Sequence, residues 1–165
     1  QKGVHVLVEA FNGLADGSAE LWIYGDPGIF PDYARRLREL AANPRIRFWG
    51  RVDGEDIGSA LSELDALIVP SLWYENSPLV IQEAFAAKVP VIASDLGALA
   101  EKVRHGLDGL LFPPGDAASL RELLRGLIEE PAILKRLKAN IRPVKSMAEH
   151  AREIEALYER LREGR

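Results

Sequence analysis

Apolar positions recur along this chain with two different periods, and the two alternate. Val4, Leu7, Val8, Phe11 and Leu14 return every three or four residues, which predicts an amphipathic helix ending near Asn12-Gly13. Leu21–Tyr24 is instead a short continuous apolar run closed by the turn sequence GDPG, and reads as a strand. The same exchange continues. Tyr33, Leu37 and Leu40 mark a helix stopped by Asn43-Pro44, 46–49 a strand, and Ile57, Leu61 and Leu64 a short helix. Residues 66–69 then form an apolar strand broken at Pro70, 78–87 a helix, and 91–93 a strand. A brief helix over 97–103, a strand over 110–112 and helices near 117–129, 131–139 and 145–162 complete the chain, the last with Ile154, Leu157 and Leu161 on one face.

Strands that are apolar throughout and alternate with helices imply a parallel sheet covered on both faces. The expected fold is therefore α/β: a Rossmann-like three-layer sandwich with about five parallel strands, all in one domain spanning 1–165. Ligands of such sheets bind beyond the carboxyl ends of the strands. Here those ends are the loops at 25–30, 50–54, 70–77 and 94–98. A chain that opens directly on a helix lacks the strand such a unit normally begins with, so a fragment of a longer protein is expected.

Within that frame YENSPLVIQEAFAA, residues 74–87, carries the chemistry. Ser77 suits an N-cap and Pro78 the first helical position, where a missing N–H is harmless. Leu79 and Val80 would then point free amides out of the helix end, a ready anion site. Glu75 lies in the loop just before it. Glu83 lies inside the helix, on the apolar side between Leu79, Val80 and Ala87. A carboxylate there needs a partner, whether a ligand hydroxyl or the protein's own amides or an arginine. A phosphate flanked by two hydroxyl-accepting carboxylates matches the shape of a nucleotide-sugar.

Composition narrows the alternatives. With 165 residues, net charge −4 and no cysteine, the chain suits neither a general nucleic-acid nor a membrane-surface role, and offers neither disulfides nor thiolate metal sites. No apolar run approaches the ~20 residues of a bilayer span and no signal peptide is visible, so a cytoplasmic location is expected. His5, His105 and His150 are scattered, without ligand spacing, and no metal site is expected. The basic stretch 135–152 reads as a solvated face.

Glu, seven residues and Glu-Ala, followed by VPVIAS, resembles the signature of the group 1 (family four) glycosyltransferases. So do Lys2-Gly3, FWGRV at 48–52, DALIVPSLWYENSP at 65–78, VPVIASDLGALAE at 89–101 and DGLLFPPGD at 108–116, in order and at matching spacing. The resemblance implies the C-terminal, donor-binding half of a GT-B fold, its N-terminal acceptor-binding domain lying outside this sequence. It implies retention of anomeric configuration without a divalent metal or resident cofactor, with a UDP-, GDP- or ADP-sugar as donor. Residue by residue, it makes Glu83 the acceptor of the ribose hydroxyls and Glu75 a contact to the donor sugar, where a carboxylate could also stabilise an oxocarbenium-like transition state. Ser77, Pro78, Leu79 and Val80 become the phosphate site, where Pro78 replaces a common Gly and removes a donor. Lys2 reaches the diphosphate as a point cation. Gly50, Arg51 and Val52 hold the base, although Arg51 is equally well read as an exposed structural arginine.

Asp26 and Gly28 would border the same cleft. Asp95, Gly97 and Glu101 match the family's Asp-x-Gly…Glu segment, with capping of the 97–103 helix the expected task of Asp95. Lys88 stands where relatives usually have Gly, at a helix C-terminus that favours a cation. Three functions from different classes remain: the donor half of a transferase, inactive in isolation; a stand-alone nucleotide-sugar-binding regulatory module; and a flavodoxin-like domain without sugar chemistry. The related nucleotide-sugar 2-epimerases fit the Glu-to-Glu spacing less well.

Overall fold

Neighbouring residues of the strand Val91–Ser94 leave in opposite directions, and the core follows them. Ile92 joins one buried cluster with Leu7, Phe11, Phe112, Leu120 and Leu124. Val91 and Ala93 join another with Leu61, Val69, Ile81, Ala84 and Leu99. Because strand side chains alternate with period two, these clusters occupy the two faces of one sheet. That is the three-layer arrangement expected from the all-apolar strands.

The computed structural model describes residues 1–14 and 19–163. In chain order the elements are α1 (Val4–Asn12), β1 (Leu21–Tyr24), α2 (Pro31–Leu40), β2 (Ile46–Gly50), α3 (Ile57–Ser62), β3 (Leu67–Val69), α4 (Leu79–Ala86), β4 (Val91–Ser94), α5 (Ala98–Lys102), β5 (Gly109–Phe112), α6 (Ala117–Glu129), α7 (Ala132–Ala139) and α8 (Met147–Glu163). Every pairing is parallel, Leu67 opposite Val91 and Ile92 opposite Leu110. The five strands form two sheets, however, β1-β2 and β3-β4-β5. The single sheet expected from the sequence is interrupted between β1 and β3.

Several helix ends explain themselves. Asp116 caps α6, its carboxylate accepting the Ser119 N–H at 2.9 Å. Residue 88 ends α4 with φ 61°, the left-handed conformation that usually selects Gly. The Lys88 N–H donates to the Phe85 carbonyl and the Val89 N–H to that of Ala84, which together make a Schellman turn. Lys88 Nζ then donates to the Ile141 carbonyl at 3.2 Å, so this lysine also ties α4 to the segment after α7.

Gly126 sits mid-helix in α6, and a Cβ added there would meet nothing within 4 Å. Gly126→Ala is expected to stabilise the domain by about 0.8 kcal/mol and raise its midpoint by roughly 2–3 °C. A thermal melt followed by far-UV circular dichroism checks this; a lowered midpoint would show that α6 needs flexibility there.

The helix α8 departs from expectation. Its apolar residues Ile154, Leu157 and Leu161 share a stripe, yet all are exposed, together with Met147 and Tyr158. Among the described residues no helix is long and apolar enough to cross a membrane.

Candidate functional site

At the carboxyl ends of β3 and β4 the chain gathers most of the residues singled out above. β3 ends on Val69 and Pro70, and the carbonyl of Pro70 faces Gly3 so closely that a Cβ on Gly3 would lie 1.9 Å from it. Gly3 has φ 65° and starts α1. This contact holds Lys2 in place. Lys2 Nζ donates to Glu75 Oε1 at 2.6 Å. The Ser71 hydroxyl donates to the same oxygen at 3.0 Å. The ammonium of Lys2, helped by Ser71, holds the Glu75 carboxyl below the usual value of 4.5 against the opposing effect of partial burial.

Ser71, 1% exposed, did not stand out in the sequence. The available signal was a polar residue directly behind an apolar strand and four positions before Glu75.

Glu75's lowered pKa has a pH consequence. A carboxyl whose folded pKa is depressed adds stability above its unfolded pKa, and that stability is lost as pH falls through the folded value. Lys2→Met removes the largest cause, so the Glu75 titration is expected to move up towards 4.5. The variant's stability deficit should then be present at neutral pH and shrink below about pH 4.5. Carboxyl-detected NMR titration reads the first and acid-to-neutral melts the second. An unmoved Glu75 titration would mean that Lys2 does not hold it in solution.

The N-terminus of α4 differs from expectation by one position. Pro78, not Ser77, is the N-cap, with ψ 97° still extended, and no side chain caps the helix. The Ser77 hydroxyl stands one residue too early to reach the first-turn amides, and it remains exposed. The Ile81 N–H closes back on the Pro78 carbonyl at 3.2 Å, while those of Leu79 and Val80 have no acceptor among the described residues. Two free amides therefore stand at this helix end, and Pro78 itself offers only a carbonyl.

Glu83 is half-buried on α4 and lines a cavity of about 800 Å³ together with Val80, Pro70, Gly25, Arg51 and Val52. Among the described residues no hydrogen bond or ion pair engages its carboxylate. The alternative in which Glu83 is locked to protein groups is not what the fold shows.

Gly50 needs its φ of 80°, and its carbonyl accepts the Gly25 N–H at 2.8 Å, joining the loops after β1 and β2. Arg51 is exposed beside Asp53 at 3.5 Å. Asp26 closes an Asx turn on the Gly28 N–H. Asp95 does not cap α5 as expected. Gly97 is the N-cap, at φ 48° and ψ −129°, and no side chain bonds the helix end. Gly97 instead lets Tyr74 approach, for a Cβ there would meet the ring edge at 2.9 Å. Glu101 is exposed.

The histidines lie apart: His5 on Tyr33, His105 accepting the Leu111 N–H, and His150 on α8. Among the described residues no three His, Asp or Glu side chains cluster as metal ligands would.

Comparison with known proteins agrees with this architecture. The family model "Glycosyl transferases group 1" matches residues 1–130, and the chain belongs to that family. Phosphatidyl-myo-inositol mannosyltransferase of Mycobacterium leprae is 33% identical over 143 residues, 84% of this chain and 37% of that protein. Exopolysaccharide phosphotransferase SCO2592 of Streptomyces coelicolor is 49% identical over 137 residues, 81% of this chain but only 14% of that protein. Among solved structures, Anabaena Alr3699/HepE in complex with UDP-glucose superposes with a TM-score of 0.82 at 25% identity, covering 96% of this chain and 45% of that one. The fold is thus that of GT-B glycosyltransferase neighbours, and the chain spans less than half the length of each of these relatives.

Proposed function

We propose that this chain is the donor-binding half of a glycosyltransferase of the hexosyltransferase type, which holds a nucleotide-diphosphate sugar and transfers the sugar with retained configuration. The observation that carries this reading is an unengaged carboxylate, Glu83, placed one helix turn beyond two free amides, with a second carboxylate, Glu75, on the other side of them. In this reading Glu83 takes the ribose hydroxyls as a bidentate acceptor. Leu79 and Val80 amides, with Ser77 beside them, take the diphosphate at the helix end. Lys2 offsets charge on the leaving group, and Glu75 contacts the sugar near its reacting carbon. Gly50, Arg51 and Val52 border the base.

Binding of UDP-glucose by HepE supports a nucleotide-sugar as the ligand. The reaction needs no resident cofactor or metal in this scheme, because amides and Lys2 supply the electrophilic groups. The remaining domain of the same polypeptide supplies the acceptor site, and the transferase works in the cytoplasm. The isolated chain therefore binds nucleotide weakly and transfers nothing.

NMR titration of the chain with UDP, GDP and ADP tests the reading. Shifts centred on residues 75–83 and 50–52 are expected for one nucleotide, without turnover of its sugar ester. Sugar transfer by the chain alone, or shifts confined to another surface, would overturn it.

A second reading has a specific observation in its favour: the 49% identical relative carries this domain as a small part of a protein named a phosphotransferase. There the domain would be a nucleotide-sugar-binding module serving chemistry performed elsewhere. It predicts affinity as tight in isolation as in the longer polypeptide.

A further inference from the structure

Both donors that reach Glu75 go to the same oxygen. Lys2 Nζ lies 2.6 Å from Oε1 and the Ser71 hydroxyl 3.0 Å from it, while among the described residues no hydrogen bond reaches Oε2. A carboxylate accepts through both of its oxygens. Anchored by one of them only, Glu75 keeps the other for whatever enters the site.

The two anchors differ in kind. The Lys2 side chain is 72% exposed. It reaches Glu75 along a flexible four-carbon stem, and an ion pair so exposed contributes little against the entropy of holding that stem still. Ser71 is buried, and its main chain is fixed from both sides. The Pro70 carbonyl before it lies against Gly3, and the Leu72 N–H after it donates to the Gln1 carbonyl at 2.8 Å. From four residues before Glu75 in the same loop, its hydroxyl meets the carboxylate from a place that scarcely moves.

The proposed chemistry makes this difference matter. Lys2 is there assigned to the diphosphate, and an ammonium drawn to a phosphate loosens its hold on Glu75. A buried hydroxyl cannot follow it. The Glu75 side chain is only 18% exposed, and a carboxylate so enclosed needs a partner that stays. A group that acts on a ligand must also be held near its productive geometry by neighbours that are themselves locked.

We infer that Ser71 is the positioning residue for Glu75: it pins Oε1 to the loop just past β3 and so presents Oε2 to the donor sugar, whether Lys2 is bonded to the carboxylate or engaged elsewhere. The sugar-facing half of this assignment rests on the donor-binding reading, and the pinning of the carboxylate does not. Lys2 compensates the charge of Glu75, and Ser71 sets its direction.

The test crosses Ser71→Ala and Ser71→Thr with Lys2→Met and reads Glu75 itself, through the NMR couplings that report its side-chain rotamer and through its carboxyl titration. In Lys2→Met, Glu75 is expected to keep a single rotamer. Adding Ser71→Ala is expected to release it into rotamer averaging and to raise its titration above that of Lys2→Met alone, because a hydrogen bond to the charged form is lost. Ser71→Thr keeps the hydroxyl and should restore both. Ser71→Cys, a weak donor of similar size, replaces Ser71→Ala if the smaller side chain leaves the chain unfolded. Ser94→Ala is the control, since it removes a buried hydroxyl that has no partner and should leave Glu75 unmoved.

Titrations with UDP, GDP and ADP and with the glucose ester of each read the second half. For the pair that binds, Ser71→Ala is expected to cost the sugar ester about tenfold in affinity and the bare nucleotide nothing measurable. If no nucleotide binds at all, the donor-binding reading fails, and the rotamer result alone decides whether Ser71 pins Glu75. The inference is overturned if Glu75 already averages its rotamers in Lys2→Met with Ser71 intact, or if Ser71→Ala lowers the melting midpoint and leaves the Glu75 rotamer and titration as they were. Equal losses for nucleotide and sugar ester would overturn it as well.

Discussion

Glu83→Ala is expected to lower nucleotide affinity by about a hundredfold and to leave the thermal midpoint almost unchanged. The two halves of this result come from one observation. The carboxylate borders the cavity without a protein partner among the described residues, so truncation removes no interaction that holds α4. A ribose would use it twice, and hydrogen bonds to a charged group contribute about 1.5–3 kcal/mol each. Even the lower bound for the pair is about two factors of ten. Glu83→Gln keeps one good acceptor and should fall between. NMR titration with the best-bound nucleotide reads the affinity, and a melt reads the rest. If Glu83→Ala binds normally but melts several degrees lower, the carboxylate is structural and the donor reading fails.

Gly3→Ala is expected to destabilise the domain by about 3 kcal/mol. A residue with a side chain at φ 65° costs roughly 1–2 kcal/mol, and a Cβ held 1.9 Å from the Pro70 carbonyl forces a backbone shift costing about 1–3 kcal/mol more. The atom it meets is main chain at the end of β3, which cannot swing aside. The midpoint should fall by roughly 6–12 °C. The shift should also draw Lys2 away from Glu75, so the Glu75 titration should rise as it does in Lys2→Met. Gly25→Ala is the control, because a Cβ there meets nothing within 4 Å. Equal destabilisation by both changes would mean that the Gly3–Pro70 approach is not what matters.

The strands were largely readable because each is a short apolar run between turn residues, as at Leu21–Tyr24, and the helix Ala117–Glu129 likewise stands where its periodicity puts it. Lys88 was legible only in part. Its place at a helix C-terminus suggested a favourable charge, whereas its left-handed backbone and bond to Ile141 come from the turn and from a contact 53 residues away. The division into two sheets was not legible at all, since which edges of β1 and β3 find partners is a matter of non-local pairing. The same is true of α8: periodicity shows that Leu157 and Leu161 share a face and is silent on what covers it.

Within the candidate site, residue types pointed to Glu75, Glu83, Lys2 and the helix end. The capping roles of Ser77 and Asp95 did not follow, because Pro78 and the Gly97 conformation moved the helix starts. Ser71 and the close approach of Gly3 escaped because each acts through a neighbour distant in sequence.

The bond between Lys2 and Glu75 means that two charges of the unliganded site are already paired with each other. A lone anion arriving there meets an ammonium already bonded to a carboxylate, which repels the newcomer. Only a visitor that brings hydroxyls for the carboxylate as well as negative charge for the ammonium satisfies both partners as it parts them. On the proposed donor reading, discrimination against free phosphate would begin with that resting contact, before any wall of the pocket is consulted.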